Sequence, residues 1–315
     1  MPSDEQLVRA AQLYYQEDVD QLGVAQRMGI SRTTVSRWLK AARDRQIVRI
    51  SIHRPAVIQE GLSAELEARF GLKQARVAEG GADYETALQN VGSAAAQLVM
   101  DLVSPYQVVG VSWGHTLFHV VQELPEHPVE GTAIVQMCGS VGSSNPEVDG
   151  PDLARRLAEK LGATYRYVHA PTIVESAELR DQLVSQPQIR QTLEALANAD
   201  LFLFGVGTLV GDESSLVRSG HLDAAERDRL RAEGAVGHLL GRMIDRDGVE
   251  LQRSSRRVVA IPLEYLRRSA RSILVAASSI KAPCILAAVR GGYADTIVID
   301  QAAAMEVIRL ADNGR

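Results

Sequence analysis

The first 45 residues repeat apolar side chains at spacings of three and four, which is the pattern of amphipathic helices. This pattern predicts helices over residues 4–16, 19–28 and 32–45. Gly29 separates the second and third helices, and Ser31 is suited to cap the third, because its hydroxyl can accept a hydrogen bond from an exposed first-turn amide. Apolar and polar residues then alternate from 47 to 54, as in a half-buried strand. That strand either forms a short wing that touches phosphate groups or covers the small helical core.

Beyond Pro55, an amphipathic helix over 57–70 is followed by short apolar runs that alternate with helical patterns. The predicted strands are Val108–Val111, Ala133–Met137, Tyr165–Val168, Leu201–Gly205, Val258–Ile261, Ile273–Ala276 and Thr296–Ile299. The predicted helices between them are Thr86–Leu102, Thr116–Glu123, Pro151–Leu161, Gln188–Asn198, Glu226–Gly234 and Ser279–Ala288. Such alternation predicts an α/β fold with a mostly parallel sheet that is covered on both faces.

The segment from Gln21 to Lys40 fits the helix-turn-helix pattern. Ala25 is small where the two helices cross, and Gly29 follows where a tight turn favours a left-handed backbone. Polar and basic side chains are predicted to project outward from the third helix, where they would contact the bases and phosphates of a major groove. The candidate DNA-binding residues are Arg32, Thr33, Thr34, Ser36, Arg37 and Lys40. Any two-helix hairpin can contain a glycine turn, but spacing, capping and charge agree here.

Charge is unevenly distributed along the chain. The formal net charge is −5, yet residues 27–54 hold eight basic residues against one acid. That segment therefore carries +7 and the remainder −12. The asymmetry indicates a local anionic partner, although a solvated helix face has the same composition.

Composition narrows the class of protein. The chain begins without the basic and apolar regions of a signal peptide and has no apolar run long enough for a membrane span. We therefore expect a soluble, cytoplasmic protein with no membrane partner. Cys138 and Cys284 are far apart in sequence and belong to no Cys-x-x-Cys pair, so we expect two buried free cysteines rather than a disulfide or a zinc site.

Loops that follow parallel strands are the expected place for a ligand. Three Gly- and Ser-rich loops occupy such positions, at 112–116, 138–144 and 205–208. A glycine and hydroxyls before a helix form an anion cradle, because the first amides and the positive end of the helix dipole face the ligand. The candidate effector-binding residues are Ser112, Gly114, His115, Thr116, Gly139, Ser140, Ser143, Gly207, Asp245 and Lys281.

Several of these residues have a plainer interpretation. Lys281, which follows a predicted strand, is either a phosphate ligand or a solvated surface lysine. Asp245 either accepts hydrogen bonds from sugar hydroxyls or is an ordinary turn aspartate. His115 and His119 lie one helical turn apart and could share a metal, but no third ligand has a convincing spacing. We therefore expect no metal and no cofactor, and we interpret His115 as a donor in the anion loop.

The order of these motifs resembles the SorC/DeoR-type family of sugar-binding transcriptional regulators. The resemblance is carried by the helix-turn-helix, by residues 109–116, 205–208 and 234–237, and by 281–294 (KAPCILAAVRGGYA), and it covers nearly the whole chain. It implies a helix-turn-helix domain over 1–54 and a Rossmann-like effector and oligomerisation domain over 55–315. It also implies a sugar phosphate or related effector, and dimers that assemble into tetramers.

The resemblance also implies roles for individual residues. The effector phosphate would lie near the 112–116 loop and Lys281, with Asp245 toward the sugar and the loop from Gly139 to Ser143 closing the site. Some relatives have a basic residue where this chain has Cys138, so a covalent lysine–aldehyde adduct or a second phosphate at that loop is not expected here.

These observations predict a regulator that binds a double-stranded DNA operator under the control of a small phosphorylated sugar or polyol, and that is not an enzyme. The alternative is a sugar-phosphate isomerase or deaminase that carries a DNA-binding domain. Such chemistry needs a general base near a carbon-bound proton, and the strand-end loops offer no evident carboxylate–histidine pair. A constitutive architectural protein would leave the α/β domain without a role.

Overall fold

A computed structural model describes residues 2–48 and 56–313. The chain divides between residues 53 and 54 into two compact units, each with its own hydrophobic core. Most of the strand predicted over 47–54 lies outside the described residues. No helix in the described part of the chain is long and apolar enough to cross a lipid bilayer.

The N-terminal unit consists of three α-helices. They are α1 (Asp4–Ala11), which continues as a π-helical turn over Gln12–Gln16, α2 (Gln21–Met28) and α3 (Arg32–Asp44). Gly29 ends α2 in the left-handed region, with φ of 65°. The Ser31 hydroxyl accepts a hydrogen bond from the Thr34 amide at 3.1 Å and caps α3. Val35, Trp38 and Ala25 are buried between the helices, so the predicted helix-turn-helix geometry is confirmed.

The C-terminal unit is built around a parallel sheet of seven strands beside a smaller antiparallel sheet of three. The strands are β1 (Gln74–Ala78), β2 (Val108–Val111), β3 (Ala133–Gln136), β4 (Thr164–Arg166), β5 (Leu201–Phe204), β6 (Gly207–Thr208), β7 (Ala235–Leu239), β8 (Arg242–Asp245), β9 (Arg271–Ala276) and β10 (Thr296–Asp300). The order is β1-β10-β9-β5-β2-β3-β4 in the parallel sheet and β6-β7-β8 in the antiparallel one. The predicted α/β class with a mostly parallel sheet is confirmed.

Helices cover this sheet. They are α4 (Glu60–Phe70), α5 (Tyr84–Leu102), α6 (His115–Glu123), α7 (Gly150–Leu161), α8 (Ala177–Ser185), α9 (Pro187–Glu194), α10 (Ser215–Arg218), α11 (Ala224–Ala232), α12 (Gln252–Ser255), α13 (Glu264–Arg268), α14 (Ala282–Arg290) and α15 (Gln301–Asn313). Short 3₁₀ turns lie at Pro146–Val148, Gly211–Glu213 and Ser279–Lys281. Strands that are buried from both sides explain the continuous apolar run of β5.

The structure differs from the sequence predictions at several elements, of which three bear on the sheets. Residues 258–261 do not form a regular strand but make isolated antiparallel bridges, Ile173 with Val258 and Cys138 with Ala260. The edge strand β1 and the hairpin β7–β8 were not predicted. β1 contains Gln74 and Arg76 and lacks an apolar run. The apolar residues of the hairpin follow neither the two-residue period of a strand nor the 3.6-residue period of a helix, so the pattern does not distinguish the two.

The sheet order also fixes where loops meet. The chain proceeds from β2 outward to β3 and β4, then returns to the other side of β2 as β5. A parallel sheet whose chain reverses direction in this way opens a crevice at the carboxyl ends of the central strands. The loops after β2, β5 and β9 therefore share one edge of the sheet.

Close packing at the sheet centre depends on Gly110 in β2. A Cβ atom there would lie 2.4 Å from the Cδ1 atom of Phe202, its register partner in β5. We expect Gly110→Ala to lower the free energy of unfolding by about 1–3 kcal/mol, the usual cost of overpacking a core. Urea denaturation followed by circular dichroism measures the change.

Gly61→Ala in α4 provides the matched control. A Cβ atom at Gly61 meets nothing within 4 Å, and alanine in a helix is favoured over glycine by up to about 1 kcal/mol. This variant should be neutral or more stable than the wild type. Equal stability of the two variants would contradict the packing argument.

Candidate functional site

A cavity of about 410 Å³ opens at the edge where the loops after β2, β5 and β9 meet. Its lining residues are Tyr84, Ser112, Trp113, Gly114, His115, Thr116, Leu117, Gly205, Val206, Gly207, Thr208, Glu213, Ser215, Arg218, His238, Leu240, Ser278, Ile280 and Lys281. This size is suitable for a small-molecule ligand. Of the predicted effector residues, the structure brings six together here, namely Ser112, Gly114, His115, Thr116, Gly207 and Lys281.

The N-terminus of α6 forms one wall of this cavity. Gly114 precedes the helix with φ of 127°, a backbone conformation that residues other than glycine rarely adopt. Because Gly114 has no side chain to cap the helix, the first-turn amides are left for a ligand to satisfy. A helix N-terminus with free amides attracts anions.

Positive side chains complement this helix end. Lys281 and Arg218 line the same cavity as His115. Burial lowers the pKa of Lys281 to about 8, and the Arg218 guanidinium adds to the effect, while the Asp300 carboxylate opposes it. Burial also lowers the pKa of His115, with further contributions from Arg218 and Lys281. Two cations that disfavour each other's charge form a site that an anion would stabilise.

His238 is a lining residue that sequence reasoning missed. It lies on β7, is 3% exposed, and stacks on Trp113 with ring centroids 6.1 Å apart and planes at 19°. Burial, and then the charge of Lys281, lower the pKa of His238 to about 4. His238 follows the 234–237 motif directly in sequence, but only the antiparallel pairing of β7 with β6 brings it to the loop after β5. Arg218, Glu213, Ser215 and Tyr84 also line the cavity and were missed, because their segments carry no distinctive local pattern.

The structure places four predicted residues away from this cavity. Gly139, Ser140 and Ser143 belong to a loop that folds around Asp149, whose carboxylate accepts hydrogen bonds from the Ser140 hydroxyl and from the amides of residues 141 and 142. Asp245 accepts hydrogen bonds from the amides of Asp247 at 2.9 Å and Val249 at 2.8 Å. Asp149 therefore stabilises the loop through hydrogen bonds, and Asp245 is an ordinary turn aspartate.

Two further expectations concern metals and cysteines. No group of three or more possible metal ligands is found among the described residues. His119 points instead toward Glu85, with 3.4 Å between Nε2 and Oε1. Cys138 and Cys284 are buried and free, as the sequence predicted.

The candidate DNA-facing surface lies on α3. Arg32, Thr33, Ser36, Arg37 and Lys40 are exposed along this helix, while Thr34 is half-buried beside the Ser31 cap. Val35 and Trp38 hold the opposite side in the core. The helix therefore presents polar and basic side chains to solvent on one face, as a recognition helix does.

A helix-turn-helix unit joined to an α/β unit with a ligand-sized cavity defines the class of ligand-responsive regulators. The family model Sugar-bind, described as a sugar-binding domain, matches residues 58–309. The deoxyribonucleoside regulator of Bacillus subtilis (strain 168) is 31% identical over 303 residues, which is 96% of each chain. The sorbitol operon regulator of Klebsiella pneumoniae is 28% identical, over 94% of this chain and 95% of that one.

A solved structure agrees with these relatives. The crystal structure of the full-length sorbitol operon regulator SorC from Klebsiella pneumoniae superposes with a TM-score of 0.74 at 27% identity, and covers 97% of this chain and 100% of that one. The chain therefore belongs to the SorC/DeoR-type family of sugar-binding transcriptional regulators. Its relatives are named as regulators and not as enzymes, which confirms the predicted class.

The pKa of Lys281 predicts how anion binding depends on pH. The charged lysine attracts an anion, so affinity should be highest below pH 8 and fall as the pH rises through and above about 8. Sulfate is a suitable probe because its own charge is constant here. We expect its affinity to fall about tenfold between pH 7 and 9.5, the scale of one charge-assisted hydrogen bond.

The neighbouring groups with shifted pKa values are shifted away from this window. His238 has a pKa of about 4 and Cys284 of about 12, while the pKa of His115 is lowered below 6.5 and that of Tyr84 is raised above 10. Lys281→Arg keeps a charge at all these pH values and should remove the dependence. A sulfate affinity in the wild type that does not change with pH would show that Lys281 does not contact the anion.

Proposed function

We propose that this regulator binds operator DNA through α3 and that a small phosphorylated sugar or polyol in the cavity controls that binding. The observation that supports the phosphate is the convergence of the α6 N-terminus with Lys281 and Arg218 in one cavity. Backbone amides at a helix start, joined by a lysine and an arginine, recur in phosphate sites.

The rest of the cavity suits the carbon part of such a ligand. Trp113 and Leu240 offer apolar surface, and Glu213 and Ser215 offer oxygen atoms that can bind hydroxyl groups. The names of the relatives refer to deoxyribonucleosides and sorbitol, which agrees with a sugar or polyol as the effector class.

The effector-binding set we propose is therefore smaller than the one expected from sequence. It keeps Ser112, Gly114, His115, Thr116, Gly207 and Lys281 and adds Arg218 and Glu213. Asp245 and the Gly139–Ser143 loop are omitted, because they do not line the cavity and their hydrogen bonds are made to other groups of the protein.

The DNA-binding set remains the one expected from the sequence, namely Arg32, Thr33, Thr34, Ser36, Arg37 and Lys40. A single helix-turn-helix reads few base pairs, so useful specificity needs two copies on a pseudo-palindromic operator. We propose that the chain forms dimers, and tetramers from them, in the cytoplasm.

The effector class is tested with a ligand panel. We expect sugar monophosphates to raise the melting temperature of the wild type and the matched unphosphorylated sugars to have a much smaller effect, because a ligand stabilises only the state that binds it. Lys281→Met should weaken the binding of the active monophosphate about tenfold or more, as lost charge-assisted hydrogen bonds do. Its operator affinity without effector should remain that of the wild type.

A panel in which unphosphorylated sugars bind as tightly as their phosphates would reject the phosphate. Lys281→Arg is the matched control, because it retains the charge but not the shape of the ammonium group. Calorimetry with the same monophosphate separates lost affinity from lost folding.

The DNA-binding surface is tested at Arg37, which is exposed on α3. Replacing it by alanine should weaken operator binding by about 1–3 kcal/mol with relaxed specificity for a base contact, or weaken all sequences alike for a phosphate contact. Fluorescence anisotropy with operator and scrambled DNA distinguishes the two.

Arg9→Ala is the matched control for Arg37, because Arg9 is an exposed arginine on α1 that pairs with Glu17 at 2.9 Å. Its operator affinity should stay close to that of the wild type. If Arg32 and Arg37 were both replaced without any loss of affinity, α3 could not be the recognition helix.

A further inference from the structure

His238 carries a hydrogen-bonding capacity that the described part of the chain does not use. Its side chain is 3% exposed, and neither Nδ1 nor Nε2 has a hydrogen-bond partner there. A buried polar atom without a partner costs free energy, so such atoms usually mark a site filled by water or a ligand. Here the unpaired ring also lines the cavity that holds Lys281 and the α6 N-terminus.

The surroundings of His238 fix the position of its ring. Trp113 stacks against it at 6.1 Å between centroids. Gly207 is its register partner on β6, and a Cβ atom at Gly207 would lie 1.9 Å from the His238 Nε2 atom. Only glycine at 207 leaves room for this ring, so the loop after β5 is fitted to a histidine at this place.

The ionisation of His238 determines what it can recognise. Its pKa of about 4 keeps the imidazole neutral near pH 7. A neutral imidazole offers one N–H donor and one bare nitrogen that accepts. A hydroxyl group both donates and accepts, so it can pair with the ring nitrogen that faces the cavity whether that nitrogen carries the proton or not. A carboxylate or second phosphate can only accept, and a neutral ring offers it no positive charge.

We propose that His238 hydrogen-bonds a hydroxyl group of the bound effector and thereby makes the cavity select hydroxylated monophosphates over analogues that lack this hydroxyl or carry a second anion there. The assignment rests on the proposed function, because it takes the anion to lie at Lys281 and the α6 N-terminus. It makes His238 a specificity residue for the carbon chain, separate from the groups that hold the phosphate.

Two variants and two kinds of probe test this role. His238→Phe retains a ring of similar size but no nitrogen, and His238→Gln retains one donor group and one acceptor. The probes are sulfate, which reports on the anion site alone, and a set of glucose 6-phosphate, fructose 6-phosphate, ribose 5-phosphate, 2-deoxyribose 5-phosphate and fructose 1,6-bisphosphate. Calorimetry gives the affinities, and thermal unfolding checks that each variant is folded.

We expect His238→Phe to weaken binding of the tightest-binding monophosphate about five- to thirtyfold, as the loss of one hydrogen bond does, while sulfate affinity changes by less than about twofold. Its preference for that compound over the deoxy or bisphosphate analogues should shrink. His238→Gln should recover at least part of both the affinity and the preference, which a purely structural role would not predict.

Three other results would overturn the assignment, and they separate it from the proposed function. Unchanged monophosphate affinity in a folded His238→Phe variant means that the ring does not contact the ligand. Equal losses for sulfate and monophosphate mean that His238 only supports the shape of the cavity. If the wild type binds sulfate but none of the sugar phosphates, the proposed effector class fails, and this assignment fails with it.

Discussion

The common direction of β2, β5 and β9 is the constraint on which the effector site depends. Parallel strands place all their carboxyl ends at one edge, so loops that are about 90 and 70 residues apart in sequence meet there. Successive strands are added on one side of β2 as β3 and β4 and on its other side as β5, and this change of side opens the crevice between the loops. Gly110 allows β2 and β5 to pack closely at this point. The cavity is therefore a consequence of strand order, and its chemistry is set by the first residues after each strand.

The electrostatics of the cavity supports the proposed preference for anions. The α6 N-terminus, Lys281 and Arg218 bring positive potential into a partly buried space, and the lowered pKa of Lys281 records the free-energy cost. An anion that binds there favours the charged lysine and satisfies amides at the helix start. On this proposal, the buried lysine lowers the stability of the empty protein, and the bound anion gains affinity from the same charge. Such a compromise is common at functional sites.

Sequence reasoning predicted those residues of the candidate site that a local pattern encodes. Residues 112–116 and Lys281 follow apolar strands directly, and a glycine or hydroxyl before a helix has the same meaning in any parallel sheet. The same rule also selected Gly139 and Ser140, which the structure places around Asp149, because the rule does not tell which loop contains its own carboxylate partner. This rule could not predict His238, because the antiparallel pairing of β7 with β6 brings His238 to the cavity. The helix-turn-helix was predicted well because all its contacts are close in sequence.

The distribution of the lining residues bears on how an effector could control DNA binding. Apart from Tyr84 at the start of α5, they come from three parts of the C-terminal unit: the central loops, the β7–β8 hairpin with His238, and the segment with Glu213 and Arg218. A ligand that contacts all three binds most tightly to the one arrangement in which they fit it together. An effector shifts an equilibrium only by its difference in affinity between two states. A ligand held by the α6 loop alone would have nearly the same affinity in every arrangement of the other two parts. On the proposed function, an effector that also contacts the hairpin or the Arg218 segment has the difference in affinity that control requires, and His238 and Arg218 are the groups that supply it.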